Sequence, residues 1–154
     1  MRKILMLTTV LFLLVFLSGC SRVNEQDFFG LYTFKEVSYL SPLSSATKDS
    51  VNKQMKGSKY TIKENLFKIE STGYTVEYSS PKYVKEEIPE ESTLFSDVYS
   101  FLGKDVEYQY TIYNEYENKT MWRLYVSSDS VWIAKYSDTP GGSEIIMYIY
   151  KLSR

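Results

Sequence analysis

A chain of 154 residues with 44% hydrophobic and 24% charged side chains has the balance of one ordinary globular domain. A net charge of −1 with no basic stripe gives no reason to expect a nucleic-acid partner, and the absence of histidine removes the commonest general base and transition-metal ligand. Aromatics reach 16%, with fifteen tyrosines, a residue that suits half-buried strands, so composition favours β structure.

Met1, Arg2 and Lys3 form a short positive start. Residues 4–17 are apolar except for Thr8 and Thr9, and the small residues Ser18 and Gly19 lead to Cys20, the one cysteine of the chain. Charged start, apolar run and small-residue boundary are the layout of a secretory signal. The run is short for a membrane span, which needs about 20 apolar residues; an uncleaved anchor helix is the other reading. Leu17-Ser18-Gly19-Cys20 resembles the lipobox of bacterial lipoprotein precursors. The resemblance implies cleavage between Gly19 and Cys20, a diacylglyceryl group on the Cys20 thiol, and a domain held at a membrane outside the cytoplasm, in the cell envelope. Serine after the cysteine, as at Ser21, is similar to the outer-membrane sorting class. Each buried acyl CH₂ contributes roughly 0.8 kcal/mol, so two or three chains on one residue anchor firmly without a spanning helix. Removal of residues 1–19 would leave sixteen basic and nineteen acidic side chains, a net charge of −3, and no cysteine able to form an internal disulfide.

Residues 21–27, SRVNEQD, read as a polar tether. Seven extended residues reach at most about 25 Å, so the domain at 28–154 is expected close to the bilayer. Residues 28–40 read as a first strand, and Pro42 with its neighbouring serines ends it. Residues 46–57 read as a helix, with Ser44 or Ser45 as cap, Val51 and Met55 at i,i+4, and Gly57 at the C′ position.

KYTIK, LFKIE and YTVEY then alternate apolar and polar residues, the period-2 pattern of half-buried strands. After Pro81, residues 82–87 read as a short edge segment. A second short helix is expected from Pro89-Glu90-Glu91-Ser92, with Leu94, Phe95, Val98, Tyr99 and Leu102 on one face and Gly103 and Lys104 at its end. Residues 105–113 alternate cleanly, and TMWRLYV, SVWIAKY and EIIMYIYKL follow as an antiparallel meander broken by polar turns.

The expected architecture is all-β: about eight antiparallel strands in an up-and-down barrel, closed so that no edge is exposed, with two short helices. A β-sandwich is the alternative. Several strands are apolar on both faces, so the pattern leaves open which face of each points inward.

Asp27-Phe28-Phe29-Gly30-Leu31-Tyr32 resembles the Gly-x-Trp opening of lipocalin-type barrels, with Tyr32 in the place of tryptophan. The order that follows is similar to small lipocalin-like bacterial lipoproteins: Lys56-Gly57-Ser58-Lys59-Tyr60, Pro81-Lys82-Tyr83, Leu124-Tyr125-Val126 and Tyr148-Ile149-Tyr150-Lys151-Leu152. The resemblance implies a fold and an apolar cavity, not a ligand.

Catalytic chemistry finds little support. No histidine is present to activate a serine, no Gly-x-Ser-x-Gly elbow occurs, and acylation would remove Cys20 as a nucleophile. The acidic run Glu86-Glu87 and Glu90-Glu91 reads as a solvated loop and helix start, with a calcium site as the sharper alternative. The Asn118-Lys119-Thr120 sequon reads as a chance match. No cofactor motif is present.

Tyr108, Tyr110, Trp122, Tyr125 and Trp132 fall on neighbouring strands. They read as cross-strand packing, or as the lining of a ligand cavity or binding face. Two functions follow: a non-enzymatic, membrane-anchored module holding a small apolar or amphipathic ligand, or a protein-interaction lipoprotein such as an envelope assembly factor or an inhibitor of an external enzyme.

Overall fold

The computed structural model describes residues 28–88 and 108–154, with Leu102 and Val106. Gly19, Cys20 and the expected tether lie outside the described residues, as does the second expected helix apart from Leu102.

Among the described residues the chain runs β1 (Gly30–Leu40), α1 (Lys48–Met55), β2 (Lys59–Lys63), β3 (Leu66–Ser71), β4 (Tyr74–Ser79), β5 (Lys82–Glu87), β6 (Tyr108–Tyr113), β7 (Lys119–Val126), β8 (Val131–Asp138) and β9 (Glu144–Ser153). The nine strands form one antiparallel sheet in the order β4-β3-β2-β1-β9-β8-β7-β6-β5. The class is the expected one, and two details differ. Residues 82–87 are a full strand, paired with β6 from Lys82↔Tyr113 to Glu87↔Tyr108, which makes nine strands rather than eight. Among the described residues the sheet also does not close by strand pairing: β4 and β5 are its two end strands.

The Ser80-Pro81 corner explains the opening. Ser80 has φ +50° and donates its N–H to the Asn65 carbonyl at 3.0 Å, which holds it to the β3 side. Pro81 has no N–H to offer a ladder. Lys82 then pairs with β6, so the chain passes from one end of the sheet to the other in two residues.

The sheet is nonetheless strongly curled. Phe67 on β3 and Trp122 on β7, five positions apart in strand order, bring their ring centroids to 6.4 Å. The Tyr83 hydroxyl on β5 donates to the Lys63 carbonyl at the end of β2, at 3.0 Å. The face enclosed by this half-barrel carries the main core, which includes Tyr60, Ile62, Phe67, Ile69, Leu124 and Ile133, all almost fully buried. Each such side chain contributes roughly 1.5–3 kcal/mol.

One end of the half-barrel is covered by α1, through Val51 and Met55. Thr47, not Ser44 or Ser45, caps this helix: Ser50 N donates to Thr47 Oγ1 at 3.2 Å and Thr47 N to Ser50 Oγ at 3.1 Å, a reciprocal box. Gly57, at φ +85°, follows the Lys56 cap as expected. β1 bulges twice against β9, at Lys35 and at Ser38. Beside the second bulge, Val37 N donates to Asn52 Oδ1 at 2.9 Å and Ser38 O accepts from Lys48 Nζ at 3.1 Å, so the irregular strand is tied to the helix.

Strands β6 to β9 are buried on both faces. Tyr39, Tyr125, Trp132, Ala134, Ile146 and Ile149 form a second cluster on the outer face, with Leu102 and Val106 packed into it. Among the described residues no helix is long and apolar enough to cross a membrane.

Candidate ligand-binding site

The five aromatics singled out by the sequence do not form one surface. Tyr110 pairs with Leu124, and both belong to the inner core, as does Trp122. Tyr125 pairs with Gln109 on one side and Trp132 on the other, and lies on the outer face. Period-2 alternation dictates the division, since residues 122 and 125 have opposite parity on one strand. Tyr108 alone of the five is exposed, with Lys85 Nζ 4.1 Å from its ring centroid.

The outer face carries a polar seam beside its apolar cluster. Arg123 is buried there, with Nη1 donating to the carbonyls of Thr120 (2.6 Å) and Trp122 (2.9 Å) and Nη2 to Glu144 Oε1 (2.8 Å). The Tyr136 ring lies over its guanidinium, and the Tyr136 hydroxyl meets that of Tyr125 at 2.5 Å. Thr111 Oγ1 donates to Glu86 Oε2 at 2.6 Å, which ties Glu86 into this seam. Glu86 of the acidic run is therefore a structural acceptor; Glu90 and Glu91 lie outside the described residues. The Thr120 hydroxyl of the sequon is committed to the Ile112 carbonyl at 2.7 Å. Among the described residues no group of three acids or cysteines could hold a metal ion.

The inner face is rich in tyrosine. Tyr148 and Tyr150, two residues apart on β9 and so on one side of it, stack at 4.3 Å with rings 8° from parallel. Burial, reinforced by the neighbouring phenols, pushes the hydroxyls of Tyr60, Tyr148 and Tyr150 far above the usual tyrosine range. Burial does the same at Tyr83, opposed by its hydrogen bond to Lys63. The Tyr60 hydroxyl is buried without a hydrogen-bond partner.

Two recesses lined by described residues open on this aromatic interior. The smaller, of about 330 Å³, lies under α1 between Met55, Tyr74, Trp122, Lys135 and Tyr148. Lys135 Nζ sits 5.8 Å from the Tyr148 ring centroid, so the wall holds a cation among aromatics. The larger, a half-open cleft of about 700 Å³, lies at the opposite end, where residue 28 enters the fold. Phe28, Tyr32, Tyr110 and Leu152 line it together with four basic residues, Lys35, Lys85, Lys151 and Arg154, against one described acid, Asp129; the Lys151 ammonium itself lies beside Trp132 of the outer face.

The floor of this cleft is firmly built. Phe28 packs on Tyr110 (4.6 Å between centroids), Phe29 (4.9 Å) and Tyr83 (5.5 Å). Tyr32, the residue in the tryptophan position, donates its hydroxyl to the Phe28 carbonyl at 2.7 Å and has the Arg154 guanidinium 5.5 Å from its ring. Gly30 packs closely beside it: a Cβ there would lie 3.2 Å from the Tyr32 ring, which would have to shift by a few tenths of an ångström.

Of the sequence candidates, Tyr110 reaches the larger recess and Trp122 the smaller; Tyr125 and Trp132 line neither. The four cations were not anticipated. They come from β1, β5, β9 and the residue after β9, and no local spacing connects them; Lys35 is the extra residue of a bulge that the alternation pattern does not reveal. No family model matches the chain, and no curated protein or solved structure is significantly similar to it.

Proposed function

We propose that the chain is a membrane-anchored bacterial lipoprotein, acylated at Cys20, whose lipocalin-like half-barrel is a non-enzymatic binding module for a small apolar or amphipathic ligand. The observation that carries the ligand reading is the pair of recesses in an aromatic interior, the larger of about 700 Å³, within the range of ordinary small-molecule sites. Its mixed lining of aromatic rings and cationic side chains suits an amphipathic occupant. The anchor reading rests on Leu17-Ser18-Gly19-Cys20 after an apolar run, and the non-enzymatic reading on a chain without histidine.

Native mass spectrometry of the purified full chain tests the ligand reading: a co-purifying small molecule, released on unfolding, is expected, and an empty protein that takes up no amphiphile would overturn it. The anchor has its own test. Cys20→Ala should leave the membrane fraction, and retention there would remove the lipoprotein assignment.

The end strands β4 and β5, which pair on one side only among the described residues, favour a second reading, since a free strand edge can accept a strand from another protein. On that reading the domain is an envelope assembly factor or an inhibitor of an external enzyme. Four of the five aromatics expected to form an interaction face are not exposed, which weighs toward the ligand reading.

A further inference from the structure

The geometry points to a specific ligand class for the larger cleft: an anionic amphiphile, bearing a phosphate or carboxylate headgroup and an apolar body. This inference rests on the ligand-binding reading above and adds the charge and polarity of the ligand to it.

Three observations converge. First, four basic residues from four separate segments, Lys35, Lys85, Lys151 and Arg154, line the cleft or its edge, against one described acid, Asp129. In a chain of net charge −1 this is a local inversion of sign. A concave site lined by one sign of charge concentrates counter-ions of the other sign.

Second, three of these cations are engaged by no described acid. Among the described residues Lys35, Lys85 and Lys151 make no ion pair, whereas Lys68, Lys82, Lys119 and Arg123 all do. Lys85 and Lys151 instead lie over aromatic rings, Tyr108 at 4.1 Å and Trp132 at 5.3 Å. A cation–π contact is a weak attraction that satisfies none of the ammonium's hydrogen-bond donors. It orders the stem and leaves the ammonium donors available to an anion.

Third, the cleft also offers apolar surface. Phe28, Tyr110 and Leu152 line the same cleft as the cations, and Phe28 is held in place by its ring neighbours. A free inorganic anion would use the cations alone. An apolar molecule would use the floor alone and strip water from the lysines. An amphiphile with a negative head uses both. Phe28 directly follows the expected tether in sequence, so on the lipoprotein reading the cleft lies near the bilayer, a source of such molecules.

The test uses the full chain solubilised in a neutral detergent and read by native mass spectrometry. Three probes are added at equal concentration: dihexanoyl phosphatidylglycerol, dihexanoyl phosphatidylcholine and glycerol 3-phosphate. The phosphatidylglycerol is expected to bind at least tenfold more tightly than the other two. The triple variant Lys35→Gln, Lys85→Gln, Lys151→Gln should lose that preference, while Lys53→Gln and Lys59→Gln, away from the cleft, should keep it; circular dichroism confirms that each variant is folded. Equal binding of the two lipids, or a preference that survives the triple substitution, overturns the anionic assignment and leaves the ligand reading standing. Binding of glycerol 3-phosphate as tight as that of phosphatidylglycerol overturns the amphiphile and assigns a free anion. Binding of none of the probes, in a protein that also purifies empty, removes both the inference and the reading beneath it.

Discussion

Arg123 Nη2 lies 2.8 Å from Glu144 Oε1, and the two partners differ in environment: the arginine side chain is 1% exposed and the carboxylate 31%. Lys119 Nζ meets the other oxygen of the same carboxylate at 2.6 Å. Water can compensate the acid if the pair is broken. It cannot reach the two carbonyls that Arg123 also satisfies.

The two halves of the pair should therefore respond unequally. Arg123→Ala is expected to destabilise the fold by about 2–3 kcal/mol, because it leaves buried acceptors unsatisfied. Glu144→Gln should cost under about 1 kcal/mol, as for a partly solvated ion pair. Urea unfolding of the two variants checks the order, and an equal effect would contradict this account.

Phe67 stacks on Tyr78 at 5.8 Å and reaches across the half-barrel to Trp122. Phe67→Ala should cost about 3–5 kcal/mol, since the removed ring leaves a cavity between strands that are not neighbours in the sheet. Phe67→Leu should recover a large part of that loss in the same unfolding assay.

The link between α1 and the bulged strand is testable at Asn52. Asn52→Ala removes the acceptor of Val37 N and should cost about 1–2 kcal/mol. Hydrogen exchange at the Val37 amide should accelerate along with the amides of α1, while β6 to β8 stay protected.

Alkaline pH should unfold the protein cooperatively. The phenols of Tyr60, Tyr83, Tyr148 and Tyr150 are held above the usual tyrosine pKa chiefly by burial. Above pH about 10 the unfolded chain releases these protons and the folded one retains them. Stability is thus intact below that pH and declines as pH rises further. Tyrosinate absorbance from the buried phenols should appear in a steep step that coincides with loss of the circular dichroism signal.

Strand positions were legible in the sequence because KYTIK, LFKIE and YTVEY each carry a period of two, and each is a strand within a residue of its expected bounds. The face that each strand buries was not legible on β7 to β9. Trp122 and Tyr125 are both buried, on opposite faces, because Leu102 and Val106 pack with the outer cluster and remove the polar side that alternation needs. Residues 82–87 were underrated as a strand because Lys82, Lys85, Glu86 and Glu87 make their pattern polar; pairing with β6 decides the conformation instead. The cleft was illegible for a different reason: Lys35 and Lys151 meet only through a pairing between the first and last strands.

That pairing has a consequence for how the chain assembles. Every hydrogen-bonded strand pair joins consecutive strands except β1 with β9. The sheet is two local meanders, β1 to β4 and β5 to β9, sewn together by one seam whose members, such as Thr33 and Ser153, are 120 positions apart. Closing so long a loop carries the largest entropy of any pairing in the molecule, so the seam should be the last to form and should limit the folding rate. Joining the two chain ends and cutting at Ser80-Pro81 would give a permuted chain whose strands follow one another in spatial order throughout. Such a permutant should reach the same sheet faster than the native chain does.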